Sequence, residues 1–186
     1  MAMLDDIEKI LLTEAQIQTR VAEMAAEMNA LYSDADPPML VCILKGAYLF
    51  MADLTRHLDF RHEIDFMEIS SYGKGTTSSG VVRILLDLES SIEDRHVIIV
   101  EDIVDTGNTL NYILRHFQAR NPKSLRIATL LNKPSRREVE VAVDFVGFEI
   151  PDEFVLGYGL DFAEQYRNLP FIGVLKPEVY EAVLEA

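Results

Sequence analysis

Glu101, Asp102, Asp105, Thr106 and Thr109 lie within one short stretch, residues 96–117, which reads HVIIVEDIVDTGNTLNYILRHF. The run Val97 to Val100 ahead of them is apolar and β-branched, as suits a strand buried on both faces. After the turn, Leu110, Ile113, Leu114 and Phe117 recur at helical spacing. Strand, glycine turn and helix start in this order form a phosphate site. The first amides of a helix have no internal partner, and its dipole favours an anion there. Gly107 permits close backbone approach, and the two threonines offer hydroxyl donors beside Asn108. Carboxylates next to a phosphate repel it unless they hold sugar hydroxyls, or a metal that also holds the phosphate.

The rest of the chain must position this stretch. Its 186 residues predict one domain, residues 1–186, with 49% hydrophobic and 26% charged residues giving an ordinary globular composition. A formal net charge of -14 argues against nucleic-acid binding through a basic face. No stretch reaches the ~20 apolar residues of a membrane span, and no signal-peptide pattern opens the chain, so the expectation is a cytoplasmic protein without membrane partners. The single cysteine, Cys42, lies in the apolar run Met39 to Leu44 and reads as a small buried hydrophobe rather than a nucleophile.

Thr13 to Tyr32 reads as an amphipathic helix, with Thr13 and Gln16 at capping-box spacing and Ile17, Val21, Met24, Met28 and Leu31 along one face. Met39 to Leu44 is a buried strand that stops at Lys45-Gly46, and a helix follows through Ala47, Leu49, Phe50, Leu54 and Leu58. Open α/β sheets bind ligands at such strand ends. His62 to Ser71 and Val81 to Leu88 predict a hairpin around the polar segment Tyr72 to Gly80, which reads either as a simple hairpin tip or as a lid. Leu125 to Leu131 is a further buried strand, and Lys133 follows it. The local cluster Ser135-Arg136-Arg137 reads as a solvated turn. Val141 to Phe148 and Phe171 to Leu175 are strand-like, and Pro177 to Leu184 is a short helix.

Several ligand-binding signatures fail. Asp105-Thr-Gly-Asn-Thr109 lacks the second acid of an aspartyl-phosphate loop, since that position holds Gly107. The glycines of residues 72–80 have neither dinucleotide-fingerprint nor Walker spacing.

The order hydrophobic strand, Glu101-Asp102, two spacers and Asp105-Thr-Gly-Asn-Thr109 resembles the phosphoribosyl diphosphate signature of type I phosphoribosyltransferases. Leu44-Lys45-Gly46, Ser71-Tyr72-Gly-Lys-Gly-Thr, Leu131-Asn-Lys133-Pro, Val146 to Val155, Gly159-Leu-Asp161 and Tyr166-Arg167-Asn-Leu-Pro resemble segments of the hypoxanthine-guanine phosphoribosyltransferases, in unbroken order from Met39 to Tyr180. This resemblance implies an α/β fold with a parallel central sheet flanked by helices, a flexible β-hairpin loop and a small hood. The implied activity transfers phosphoribosyl to a 6-oxopurine base, with Mg2+ as cofactor.

The resemblance also implies roles. Glu101 and Asp102 hold ribose and metal, Thr106, Gly107, Asn108 and Thr109 wrap the 5′-phosphate, and Asp105 is the base facing purine N7. Lys133 selects the 6-oxo group, Phe154 stacks on the purine, and the Val155 backbone meets its edge. Asp161 holds magnesium, Lys45, Gly46 and Arg167 bind diphosphate, and the loop opening at Ser71 and Tyr72 closes over the site. Asn108 departs from the lysine that some members carry, which affects one phosphate contact. A homodimer or homotetramer is expected from relatives. The rivals, an RNA-binding regulator on this fold and a pyrimidine-specific transferase, are disfavoured by the net charge and by Lys133 with Phe154-Val155 respectively.

Overall fold

The computed structural model describes residues 2–72 and 81–184. A short helix α1 (Ala2–Asp5) leads into strand β1 (Ile7–Leu12) and helix α2 (Glu14–Asn29). Strand β2 (Met39–Leu44), helix α3 (Tyr48–Thr55) and the pair β3 (Glu63–Tyr72) and β4 (Val81–Leu86) follow. The chain continues through β5 (His96–Val104), α4 (Asn108–Gln118), β6 (Ser124–Asn132), β7 (Phe145–Glu149), β8 (Val155–Leu156), β9 (Ile172–Leu175) and α5 (Pro177–Leu184).

Six strands form the main sheet in the order β4-β3-β2-β5-β6-β7, parallel except for β4, which pairs antiparallel with β3. This is the expected parallel sheet, with the predicted hairpin as its edge; the loop tip at 73–80 lies outside the described residues. The strands alternate between two cores. Leu40, Cys42, Ile98 and Val100 pack with α2 and α3 on one face. Met39, Val41, Ile43, Val97 and Ile99 pack with Leu110, Ile113 and Phe117 of α4 on the other. Burial on both faces is why β2 and β5 read as uninterrupted apolar runs. Burial also pushes the Cys42 thiol up to about 12, in keeping with a small core hydrophobe.

The predicted capping box is formed: Thr13 Oγ1 accepts from the Gln16 amide at 3.3 Å, and the Thr13 amide donates to Gln16 Oε1 at 2.9 Å. Ile17, Val21, Met24 and Met28 are buried as expected, but Leu31 is 54% exposed because α2 ends at Asn29. The inward face of β3 also differs from the apolar reading. Ile64 and Phe66 face solvent, while Asp65 is buried and its carboxylate accepts the amides of Phe66, Glu89 and Ser90 at 2.8, 3.0 and 3.3 Å. An acid can point inward here because loop amides satisfy it.

The second sheet, β1-β9-β8, is antiparallel and makes the hood, joining the two ends of the chain. The structural consequence is a topological switch point between β2 and β5. Helix α3 leads from β2 outward to β3, and α4 leads from β5 outward to β6, so the loops at their carboxyl ends diverge and leave a crevice. Phe117, fully buried under the main sheet, anchors the helix that follows the turn at residues 105–107. Phe117→Ala should cost about 3–5 kcal/mol of stability, read as a lowered urea midpoint; an unchanged midpoint would contradict the packing described.

Candidate active site

The crevice is built from strand ends. Strand β5 carries the acids near its carboxyl end, ends at Val104 and then turns through residues 105–107 into α4, with Gly107 at φ 86 as the residue before the helix. A side chain at that positive φ is strained, and a Cβ there would fall 2.4 Å from the Val139 carbonyl oxygen. Glu101, Asp105, Thr106, Gly107 and Thr109 line a hollow of about 90 Å³ over the first turn of α4, the dimensions of a small anion. The Thr109 and Leu110 amides at that turn have no acceptor within the helix. Asn108 is turned sideways, its Nδ2 donating to Glu138 Oε2 at 2.7 Å.

An adjoining cleft of about 360 Å³ is lined by Lys45, Gly46, Glu101, Asp102, Thr109, Asp161 and Arg167. Four of the segments singled out in the sequence therefore meet in one place. The contact between two of them is very close: a Cβ on Gly46 would fall 1.5 Å from the Asp102 carboxylate, so a side chain there would displace that acid. The Leu44–Lys45 peptide just before it is cis. Arg167 Nη1 donates to the Gly159 carbonyl at 2.9 Å, and its Nη2 pairs with Asp161 at 2.8 Å. Glu164, which the sequence reading did not single out, accepts from Lys45 Nζ at 3.0 Å and lies 3.4 Å from Arg167. Its carboxyl is lowered by hydrogen bonds first from Lys45 and then from Arg167.

The acids form a half-buried pair at the cleft wall. Burial, and then the neighbouring Asp102 charge, hold the Glu101 carboxyl well above the usual range. Burial likewise raises Asp102 to about 6, opposed by hydrogen bonds from backbone amides such as Ile103 and by the charge of Arg167. Glu101 Oε2 is buried with no hydrogen-bond partner among the described residues. Among the described residues, no cluster of three or more His, Cys, Asp or Glu is placed to hold a metal alone. The oxygen donors of Glu101, Asp102 and Asp161 nevertheless fit magnesium, which takes one or two protein carboxylates and completes its shell with phosphate and water.

On the far side of β5, Lys133 is only 7% exposed. Its amide donates to the Val104 carbonyl at 2.9 Å, and its Nζ donates to the Glu153 carbonyl at 2.7 Å, 4.0 Å from Asp152. Burial lowers its ammonium below the ordinary lysine value, against the raising charges of Asp105 and Asp152. Phe154 stacks on Tyr180 of α5 with centroids 5.4 Å apart and takes an edge contact from Phe162, yet remains 43% exposed. Val155 is buried in β8 opposite Val174. Ser71 and Tyr72 end β3 opposite Val82 and Val81.

The turn at Ser135-Arg136 is solvated as expected, and Arg136 also pairs across it: its Nε lies 3.0 Å from Asp105 Oδ1 and its Nη1 lies 3.4 Å from Asp152. The neighbouring Arg137 donates to the Asn132 side chain. The available signal was the Lys133–Arg136 spacing, which puts both side chains on one side of a 3-10 turn.

A phosphoribosyl transferase domain matches residues 9–163, and the chain belongs to the phosphoribosyltransferase family. It is 54% identical, over 97% of its length and 99% of the relative's, to a hypoxanthine-guanine phosphoribosyltransferase of Bacillus subtilis. A Staphylococcus aureus hypoxanthine phosphoribosyltransferase crystal structure superposes with a TM-score of 0.92 at 50% identity, covering 97% of each chain. A Trypanosoma cruzi hypoxanthine phosphoribosyl transferase, studied for the role of its C-terminal region in oligomeric state and activity, superposes with a TM-score of 0.90 at 46% identity, again covering 97% of each chain.

The raised Asp102 carboxyl has a consequence for stability. Its folded value of about 6 lies above the ordinary 3.8, so the folded chain binds this proton more tightly and stability falls as pH rises between those values. Asp102→Asn should therefore raise the thermal midpoint at pH 7.5, with the gain vanishing by pH 3.5. A lower midpoint at pH 7.5 would show that the charge is compensated.

Proposed function

We propose that this enzyme transfers the phosphoribosyl group of phosphoribosyl diphosphate to hypoxanthine or guanine, giving IMP or GMP and diphosphate in purine salvage. The observation that carries the reading is the meeting of two clefts at one acid pair. A hollow for a single phosphate and a cleft with Lys45 and Arg167 flank Glu101 and Asp102.

In this reading the amides and hydroxyls of Thr106, Gly107 and Thr109 take the 5′-phosphate, with Asn108 contributing its backbone at the helix start. Glu101 and Asp102 hold the ribose hydroxyls. Lys45, the Gly46 amide and Arg167 take the diphosphate, exchanging Glu164 for phosphate oxygens. Bound magnesium, held by Glu101, Asp102 or Asp161, would supply charge neutralisation of the leaving diphosphate. Purine N9 bonds to the anomeric carbon as the bond to diphosphate oxygen breaks, through a transition state of oxocarbenium character. The proton at N7 passes to Asp105, which thereby completes the exchange.

Lys133 donates to the 6-oxo group. Its burial makes the choice sharp, because adenine presents a donor there and leaves a buried ammonium facing it. Phe154, backed by Tyr180, offers its open face to the purine, and the Val155 backbone meets the other edge. Closure of the loop that begins at Ser71 and Tyr72 would exclude water, the competing nucleophile.

The same reading takes residues 1–186 as one catalytic domain acting in the cytoplasm, on small molecules rather than nucleic acid; among the described residues no helix is long and apolar enough to cross a membrane. A homodimer or homotetramer is supported by the exposed apolar side chains Ile64, Phe66 and Leu86 along the β3–β4 edge. Sedimentation velocity should find two or four chains per particle; a monomer at micromolar concentration would remove this part of the proposal.

The decisive assay follows nucleotide formation from phosphoribosyl diphosphate with hypoxanthine, guanine, xanthine, adenine and uracil in parallel. Turnover of hypoxanthine or guanine, with adenine and uracil inert, is the expected result. No turnover of either 6-oxopurine would sink the assignment. Asp105→Asn should slow turnover by on the order of 10²-fold or more while changing diphosphate affinity little.

A further inference from the structure

A single guanidinium joins the segment carrying Asp105 to the segment carrying the purine-facing residues. Arg136 ends the 3-10 turn Pro134–Arg136, which its own amide closes by donating to the Lys133 carbonyl at 3.2 Å. Its Nε stands 3.0 Å from Asp105 Oδ1, and its Nη1 donates to Asp152 Oδ1 at 3.4 Å. Lys133 Nζ lies 4.0 Å from the same Asp152 oxygen. One acid after β7 is thus shared by the two cations that flank Asp105.

The two oxygens of Asp105 are not equivalent. Oδ1 is buried and receives no aligned hydrogen bond among the described residues, because the Arg136 N–H is close but not aimed at it. The side chain as a whole keeps 40% of its surface exposed, so Oδ2 is the oxygen open to the cleft. The charged groups around it are Arg136 and Lys133, with Asp152 and Glu153 behind them and Glu101 across the hollow.

We propose that Arg136 is a positioning residue for the transfer: it holds Oδ1 of Asp105 by charge, presents Oδ2 to the purine, and fixes Asp105 relative to the Asp152–Phe154 segment. The proposal rests on the assignment of Asp105 as the base. Lysine can restore the charge at this position but not the planar fork that reaches two carboxylates at once.

The test compares Arg136→Gln, Arg136→Lys and Asp105→Asn in single-turnover reactions with hypoxanthine and phosphoribosyl diphosphate. Arg136→Gln should slow the chemical step by on the order of tenfold and leave the affinity for phosphoribosyl diphosphate within about twofold. Arg136→Lys should recover only part of the rate. A merely structural Arg136 would lower the thermal midpoint and leave the rate where it was. That result, with Asp105→Asn still slow, overturns the proposal and spares the role of Asp105. An undiminished rate in Asp105→Asn removes the base itself, and the role of Arg136 with it.

Discussion

Two carboxylates, Glu101 and Asp102, held side by side near the carboxyl end of β5 are the constraint around which the molecule is arranged. Desolvation pushes both towards their protonated forms. They are kept in place by the strands on either side of β5, with the Gly46 backbone lying directly against the Asp102 carboxylate. Such a pair is a local loss of stability maintained for function, in the way strained or uncompensated groups concentrate at active sites. The switch point between β2 and β5 places the cleft lined by Lys45 and Arg167 beside it.

The cations near this pair are already matched before any substrate arrives. Lys45 and Arg167 share Glu164, Arg167 also pairs with Asp161, and Arg136 holds Asp105 and Asp152. In the proposed reaction, binding would thus be an exchange of partners rather than the filling of bare charge. Only the difference between the old and new contacts contributes to affinity. A chain of net charge -14 can in this way hold a polyanion without a broad basic surface.

What the sequence disclosed was largely local. The β5 turn and helix, the Lys45-Gly46 strand end and the Thr13–Gln16 cap each depend on residues a few positions apart, and each is formed as read. The pairing of Arg136 with Asp105 and of Glu164 with Lys45 was not legible, because those partners are distant along the chain. The alternation of β3 showed that it has two faces, but not that Asp65 would be the inward one. That outcome depends on amides from Glu89 and Ser90, which only the folded chain brings near. Strand β1 was not read at all, having no clean period and gaining its meaning from β9 at the other end of the molecule.

That last pairing has a consequence for how the protein comes into being. Ile7 faces Leu175, the Asp6 carbonyl accepts the Lys176 amide, and Lys9 pairs with Glu153 at 2.7 Å. On the ribosome the first strand must therefore wait for residues 172–175 before it has this partner, and closing so long a loop is slow. The main sheet, from β2 to β7, is complete well before that. The nascent chain acquires the turn at residues 105–107 first and the hood beside Phe154 last, so a product truncated after β7 keeps Glu101, Asp102, Asp105 and Lys133 but lacks Phe154, Asp161 and Arg167.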